Sequence, residues 1–185
     1  MYFFVPYNIS DIQKGIQCGH AVEKYVNEYG KKEDYKDYFR YSKTWIILNG
    51  GTTNSNDLDN PGTLNQIWRD RYHFNEVYHN ERIQIDMSYF NEPDLNDALT
   101  SLCFLADERV WDYETYPDFY DWFQEVKITP GAKAEMDRRN PQIRRFTSEK
   151  HKELFPEYYE QWVKEVLGGI KNEYLRNLIR NKKLA

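Results

Sequence analysis

The chain has 185 residues, 40% of them hydrophobic and 17% aromatic, with 25 Lys/Arg against 30 Asp/Glu. That is too apolar for a disordered segment, and long enough for one ordinary domain or a domain with an appendage. No apolar run approaches the roughly 20 residues of a membrane span, and two cysteines, Cys18 and Cys103, make neither a CxxC motif nor a disulfide framework.

In chain order, "YFFVPY" (2–7) is short, apolar and aromatic, and predicts a buried strand. The opening "MYFFVPYNIS" lacks the basic region and long apolar region of a secretory leader, so a reducing cytoplasm is the expected setting. Ser10 predicts the N-cap of a helix, with Asp11 in its first turn and Gly30 at its end. Ile12, Ile16, Gly19, Val22, Val26 and Tyr29 recur at steps of three and four, which predicts the face packed on the sheet. Residues 31–43 are charged and Tyr-rich, with room for a short helix. "TWIILN" (44–49) predicts a second strand. "GGTTNSNDLDNPG" (50–62) predicts a polar loop; its "NGGTTN" is neither GxGxxG nor a phosphate loop, and reads as a turn-rich connection. Leu64, Ile67, Trp68 and Tyr72 predict a helix over 63–78. "RIQIDMSYF" (82–90) alternates like a strand, 91–97 reads as a turn, and "ALTSLCFLADERV" (98–110) contains a fourth strand-like run.

Helical crossovers between strands predict an α/β domain over 1–112, with a small mixed, partly parallel four-stranded sheet flanked by helices. Residues 113–185 predict a helical extension packed on that domain. Its stripe of Phe155, Tyr158, Tyr159, Trp162, Val163 and Val166 is too aromatic to stay bare. Charge divides along the chain: residues 1–132 hold 12 Lys/Arg and 22 Asp/Glu, net −10, while 133–185 are net +5. The basic part either docks on the acidic body or contacts something anionic such as nucleic acid.

Two stretches carry candidate chemistry. On the first helix Gln13, Gln17, His20 and Lys24 share a face, and Lys14, Cys18, Ala21 and Tyr25 lie on the flank between that face and the apolar stripe. Gly15 and Gly19 each cost about 1 kcal/mol against Ala in a helix interior; their expected use is close packing on the sheet or close approach of a ligand. Cys18 reads as a buried cysteine or a nucleophile, but not one paired with His20, which points about 200° away. "NEPDLNDALT" (91–100) puts Glu92, Asp94, Asn96, Asp97 and Thr100 just past a strand end. Such a loop lines a ligand crevice and polarises water, or is a capped turn around Pro93. The four histidines are scattered, so no metal or cofactor is expected.

"KGIQCGHA" and "NEPDLNDALT", with "LNGGT", "GG.KN..LR" and the terminal "KLA", resemble type II peptidyl-tRNA hydrolases, in wording closest to phage-encoded members with a C-terminal extension. The resemblance spans roughly residues 1–110. It implies a small mixed sheet flanked by helices, and metal-free hydrolysis of the ester joining a peptide to the 3′ end of tRNA. By position it implies Lys14, Glu92, Asp94 and Thr100 as catalytic residues, with Gln17, His20 and Asn96 binding substrate. Gln13 stands where that family carries its lysine, one residue before Lys14. The alternative reading is a binding or inhibitor module of phage origin, without chemistry, on the same fold.

Overall fold

The computed structural model describes residues 1–52, 63–127 and 147–185. They divide into two compact units, Met1–Leu105 with Arg180–Ala185, and Ala106–Ile179. This boundary precedes the expected one at 112, and the last six residues return to the first unit. The remainder of the 50–62 loop and the basic stretch 133–146 lie outside the described residues.

The first unit runs β1 (Tyr2–Val5), α1 (Asp11–Tyr29), α2 (Glu33–Asp37), β2 (Ile46–Asn49), α3 (Thr63–Val77), β3 (Met87–Glu92) and β4 (Ala98–Phe104). A π-helical turn, Tyr38–Ser42, follows α2. The sheet order is β2-β1-β4-β3, with β1 parallel to β2 and the other pairs antiparallel. This is the expected α/β class with a mixed four-stranded sheet. The outer edge of β2 is closed by the chain's last residues: the Asn49 N–H donates to the Lys183 carbonyl at 2.8 Å and the Ala185 N–H to that of Ile47 at 3.0 Å. Pairing of this kind removes an open ladder edge.

β3 starts later than its alternating pattern predicts. The backbone of Ile85 bonds to side chains of α3 instead of to a strand: its N–H donates to Asn75 Oδ1 at 2.8 Å, and its carbonyl accepts from Arg71 Nε at 3.0 Å. Once both groups are satisfied, a ladder is not required at that residue.

α1 begins as predicted, with Ser10 and Gln13 forming a reciprocal capping box. Its rotation is a correction to the sequence reading. The face on the sheet is Gln17, Cys18, Ala21 and Tyr25, of which Cys18, Ala21 and Tyr25 pack with Met1, Phe3, Val5 and Cys103. Ile12 and Ile16, expected inside, are 78% and 51% exposed, and Val26 is 38% exposed. The buried face lies about one residue's turn, roughly 100°, from the expected stripe. Tyr25 decides this: it is buried outright, and Val22 and Tyr29 of the expected stripe stay partly buried beside it, Tyr29 at a ring separation of 4.9 Å. Aromatic rings of this size bury more apolar area than the shorter Ile12 and Ile16. The expected packing role for Gly15 and Gly19 fails with it, since a Cβ at either position would meet nothing within 4 Å. On the opposite face of the sheet, α3 buries Leu64 and Ile67, and Trp68 packs on Tyr89 with ring centroids 4.5 Å apart.

The second unit holds α4 (Glu108–Trp111), α5 (Phe119–Lys127), α6 (Ser148–Leu154), α7 (Pro156–Glu165) and α8 (Ile170–Ile179). The extension is broken between α6 and α7, where Pro156 starts the second of the two helices. Thr147 is the N-cap of α6. The aromatic stripe, expected to cover the sheet domain, closes on α5 within this unit. Tyr159, Trp162 and Val163 form a core with Phe119, Trp122, Phe123 and Leu167. A fully buried arginine, Arg176 of α8, ties down α4 and the loop between α4 and α5. It donates to the carbonyls of Arg109 and Tyr116, each at 2.7 Å, and pairs with Asp118 at 3.1 Å. The face of its guanidinium lies 4.1 Å from the Tyr113 ring centroid. No described helix is long and apolar enough to cross a membrane.

Two outcomes follow. Gly15→Ala and Gly19→Ala each raise thermal stability, by about 1 kcal/mol, because helix propensity improves and nothing is displaced. Arg176→Met lowers stability by about 3 kcal/mol, since it removes the cation paired with Asp118 and the donors to two carbonyls; loss of near-ultraviolet aromatic signal at a lower melting temperature is the readout.

Candidate functional site

The site starts from a fault in the β3–β4 ladder. Phe90 pairs with Ser101 and Asn91 with Leu99, so Thr100 has no partner opposite it. One extra residue on one strand is a β-bulge, and it re-aims the bulged side chain. Cys103, and hence Ser101, point toward α1, where the Cys103 thiol donates to the Ala21 carbonyl at 3.3 Å. By alternation Thr100 would point to the opposite face. The bulge instead delivers its hydroxyl to α1, where it donates to Gln17 Oε1 at 2.7 Å, with the Phe90 carbonyl a longer acceptor at 3.3 Å.

Gln17 passes the link on. Its Nε2 donates to Glu92 Oε2 at 2.6 Å. The carboxylate sets the amide orientation, because a flipped amide would turn its oxygen against Glu92. Gln17 and Thr100 are buried, and Glu92, paired with Ala98 at the end of β3, is half-buried. The result is a directed chain, Thr100 to Gln17 to Glu92, ending on a carboxylate through a charge-assisted bond. Among the described residues, Gln17 is the hydrogen-bond donor to this carboxylate, which leaves Oε1 for water or a ligand.

The polar face of α1 continues along β3. His20, exposed, lies on Phe90 with ring centroids 4.4 Å apart and planes 24° apart. Lys24 Nζ sits 3.3 Å above the Tyr89 ring centroid. Lys14, one turn before Gln17, is largely covered, at 13% exposure, and its ammonium bonds Asp11 Oδ1 at 3.0 Å. Asp94 and Asn96 are exposed in the hairpin loop, where Asn96 takes a left-handed conformation at φ 54° and Asp97 at 57°. That geometry suits Asn and Asp in a tight turn.

Of the expected site residues, the structure therefore bonds Gln17, Glu92 and Thr100 to one another and sets His20 beside them. It does not bond Lys14, Asp94 or Asn96 into that group. Phe90 and Tyr89, the rings under His20 and Lys24, were not picked out from the sequence; their place in the "SYF" end of an alternating strand was the available signal, while nothing local marks the bulge.

The other candidates resolve as structure. Backbone donors of the "NGG" turn are occupied: the Gly50 N–H donates to the Val5 carbonyl and that of Gly51 to Asn49 Oδ1, both at 2.8 Å. Cys18 and Cys103 are fully buried, and burial pushes the Cys18 thiol up to about 12. A thiol held protonated is a poor nucleophile. Among the described residues no group of three His, Cys, Asp or Glu side chains could hold a metal ion. Compared with family models, curated proteins and solved structures, the chain finds no match.

The thiols supply a check. At pH 8 the native protein takes up no iodoacetamide, and two equivalents react after denaturation. An unfolded thiol ionises near 9 whereas folded Cys18 holds its proton to about 12. This contribution to stability is therefore complete below pH 9 and declines as pH rises toward 12, visible as a falling melting temperature over that range.

Proposed function

We propose that the Thr100–Gln17–Glu92 chain is the core of a hydrolytic site for the ester of peptidyl-tRNA or a related tRNA-linked ester. The observation that carries this reading is the convergence of α1 and the β3–β4 hairpin on one carboxylate, at 2.6 and 2.7 Å through Gln17. These are the two stretches on which the resemblance to type II peptidyl-tRNA hydrolases rests.

In this mechanism Glu92 orients a water and takes its proton as the oxygen attacks the ester carbonyl. Gln17, held by Thr100, fixes the carboxylate so that its free oxygen points at the water. Charge develops on the carbonyl oxygen and is met by the ammonium of Lys14. Collapse releases the 3′ hydroxyl of the tRNA, which receives the proton from Glu92, and frees the peptide acid. Lys14 rests on Asp11, whose side chain is 94% exposed. An i, i+3 pair whose carboxylate is open to solvent is worth only a few tenths of a kcal/mol, so exchange of Asp11 for a substrate anion costs little. Asp94 and Asn96 would contact substrate from the hairpin loop. The basic part, 133–185, would supply phosphate contacts that a body of net −10 cannot. A tRNA substrate sets the activity in a cytoplasm, that of the host for a phage-encoded protein.

A second reading, a binding or inhibitor module on the same fold, is favoured by one observation: the Lys14 ammonium is committed to Asp11 and not to Glu92.

Release of peptide from purified peptidyl-tRNA separates the two. Turnover is expected, with Glu92→Gln slowing it by about 100-fold or more and Lys14→Ala by about tenfold or more. No turnover at high enzyme concentration, or full activity in the double variant, rejects the hydrolase and leaves the binding module.

A further inference from the structure

We infer that His20, propped on Phe90, is the stacking platform for the terminal nucleobase of the tRNA-linked substrate. This deepens the hydrolase reading and rests on it for the identity of the ligand.

An imidazole has two faces. One lies against Phe90, nearly parallel at 24° with centroids 4.4 Å apart, and the residue is nonetheless exposed. Its second face is therefore presented to solvent, backed by a ring that is itself half-buried and fixed in the edge strand. A support that cannot tilt away costs a stacked base less ordering than a lone surface histidine would. Every nucleobase offers a flat π-face, so a platform of this kind needs no base-specific hydrogen bond.

Position along the strand gives the assignment its content. Phe90 is two residues before Glu92, and two strand residues span about 7 Å. On α1 the partners are one turn apart, His20 against Gln17. A base on His20 thus leaves its own ribose and 3′ ester reaching toward Glu92, a span comparable to that from a nucleobase to the ester carbonyl it carries. Lys24, one further turn along α1, reaches round the edge strand to the ring of Tyr89, which packs on Trp68 of α3, and takes no part in the platform.

The test compares wild type, His20→Ala and His20→Phe on peptidyl-tRNA and on the same peptide esterified to a simple alcohol. The platform predicts that His20→Ala raises KM for peptidyl-tRNA by about tenfold with kcat nearly unchanged, consistent with the usual worth of one stacked base. His20→Phe restores KM, and the simple ester shows no difference among the three proteins. An unchanged KM in His20→Ala, or an equal loss on the simple ester, overturns the inference while leaving the hydrolase intact. Should the wild type show no hydrolysis, the hydrolase reading fails on its own. Titration with the trinucleotide CCA, followed through the His20 imidazole resonances, then decides the platform: shifts that saturate support it, and their absence at millimolar trinucleotide overturns it.

Discussion

One buried amide sets the geometry of the first unit. Gln17 lies inside the helix–sheet interface, and a side chain of that kind is tolerated only when both ends of its amide are paired. Thr100 and Glu92 do that, from a bulged position and from a strand end. Rotating α1 toward its Ile12/Ile16 face would pull the amide off both partners and strip Tyr25 from the core. The rotation of the helix, the bulge in β4 and the placing of a carboxylate at the end of β3 are thus one constraint seen from three sides.

The second unit is organised by a different polar group. Arg176 is buried among two carbonyls, a carboxylate and a tyrosine face, so its charge is compensated on every side. Around it the packing is aromatic: Phe119 has Phe123, Tyr159 and Trp162 as ring neighbours at 5.2–5.9 Å. Both units therefore use a satisfied polar side chain to specify an arrangement that their aromatic residues alone would leave loose. In the first, that side chain leads to a half-buried carboxylate at a strand end; in the second it is enclosed by a carboxylate and two backbone carbonyls.

The polar ridge of α1 runs along the edge strand. Gln17, His20 and Lys24 fall on successive turns and meet Glu92, Phe90 and Tyr89 of the edge strand in reverse order. In the proposed hydrolase the first two pairs would supply a carboxylate for a water and a flat ring for a base. The opposite, apolar ridge with Ile12, Ile16 and the two glycines faces open space.

The order of strands and helices was legible in the chain because hydrophobic period and turn residues are local signals. Ser10 and Asp11 announced the start of α1, alternation announced a strand around Met87, and the mixed sheet followed from the order of elements. Polar residues at Gln17, Glu92 and Thr100 were also visible as candidates, by their clustering near element ends and by resemblance. What tertiary structure alone decided was which of them meet. Helical periodicity offered two adjacent stripes on α1, and only the competition between burying Tyr25 with its neighbours and burying Ile12 with Ile16 chose between them. The bulge leaves no local trace, because it is a relation between two strands and not a property of either. The chain thus determined its elements, while long-range packing and the pairing of one buried amide determined the site.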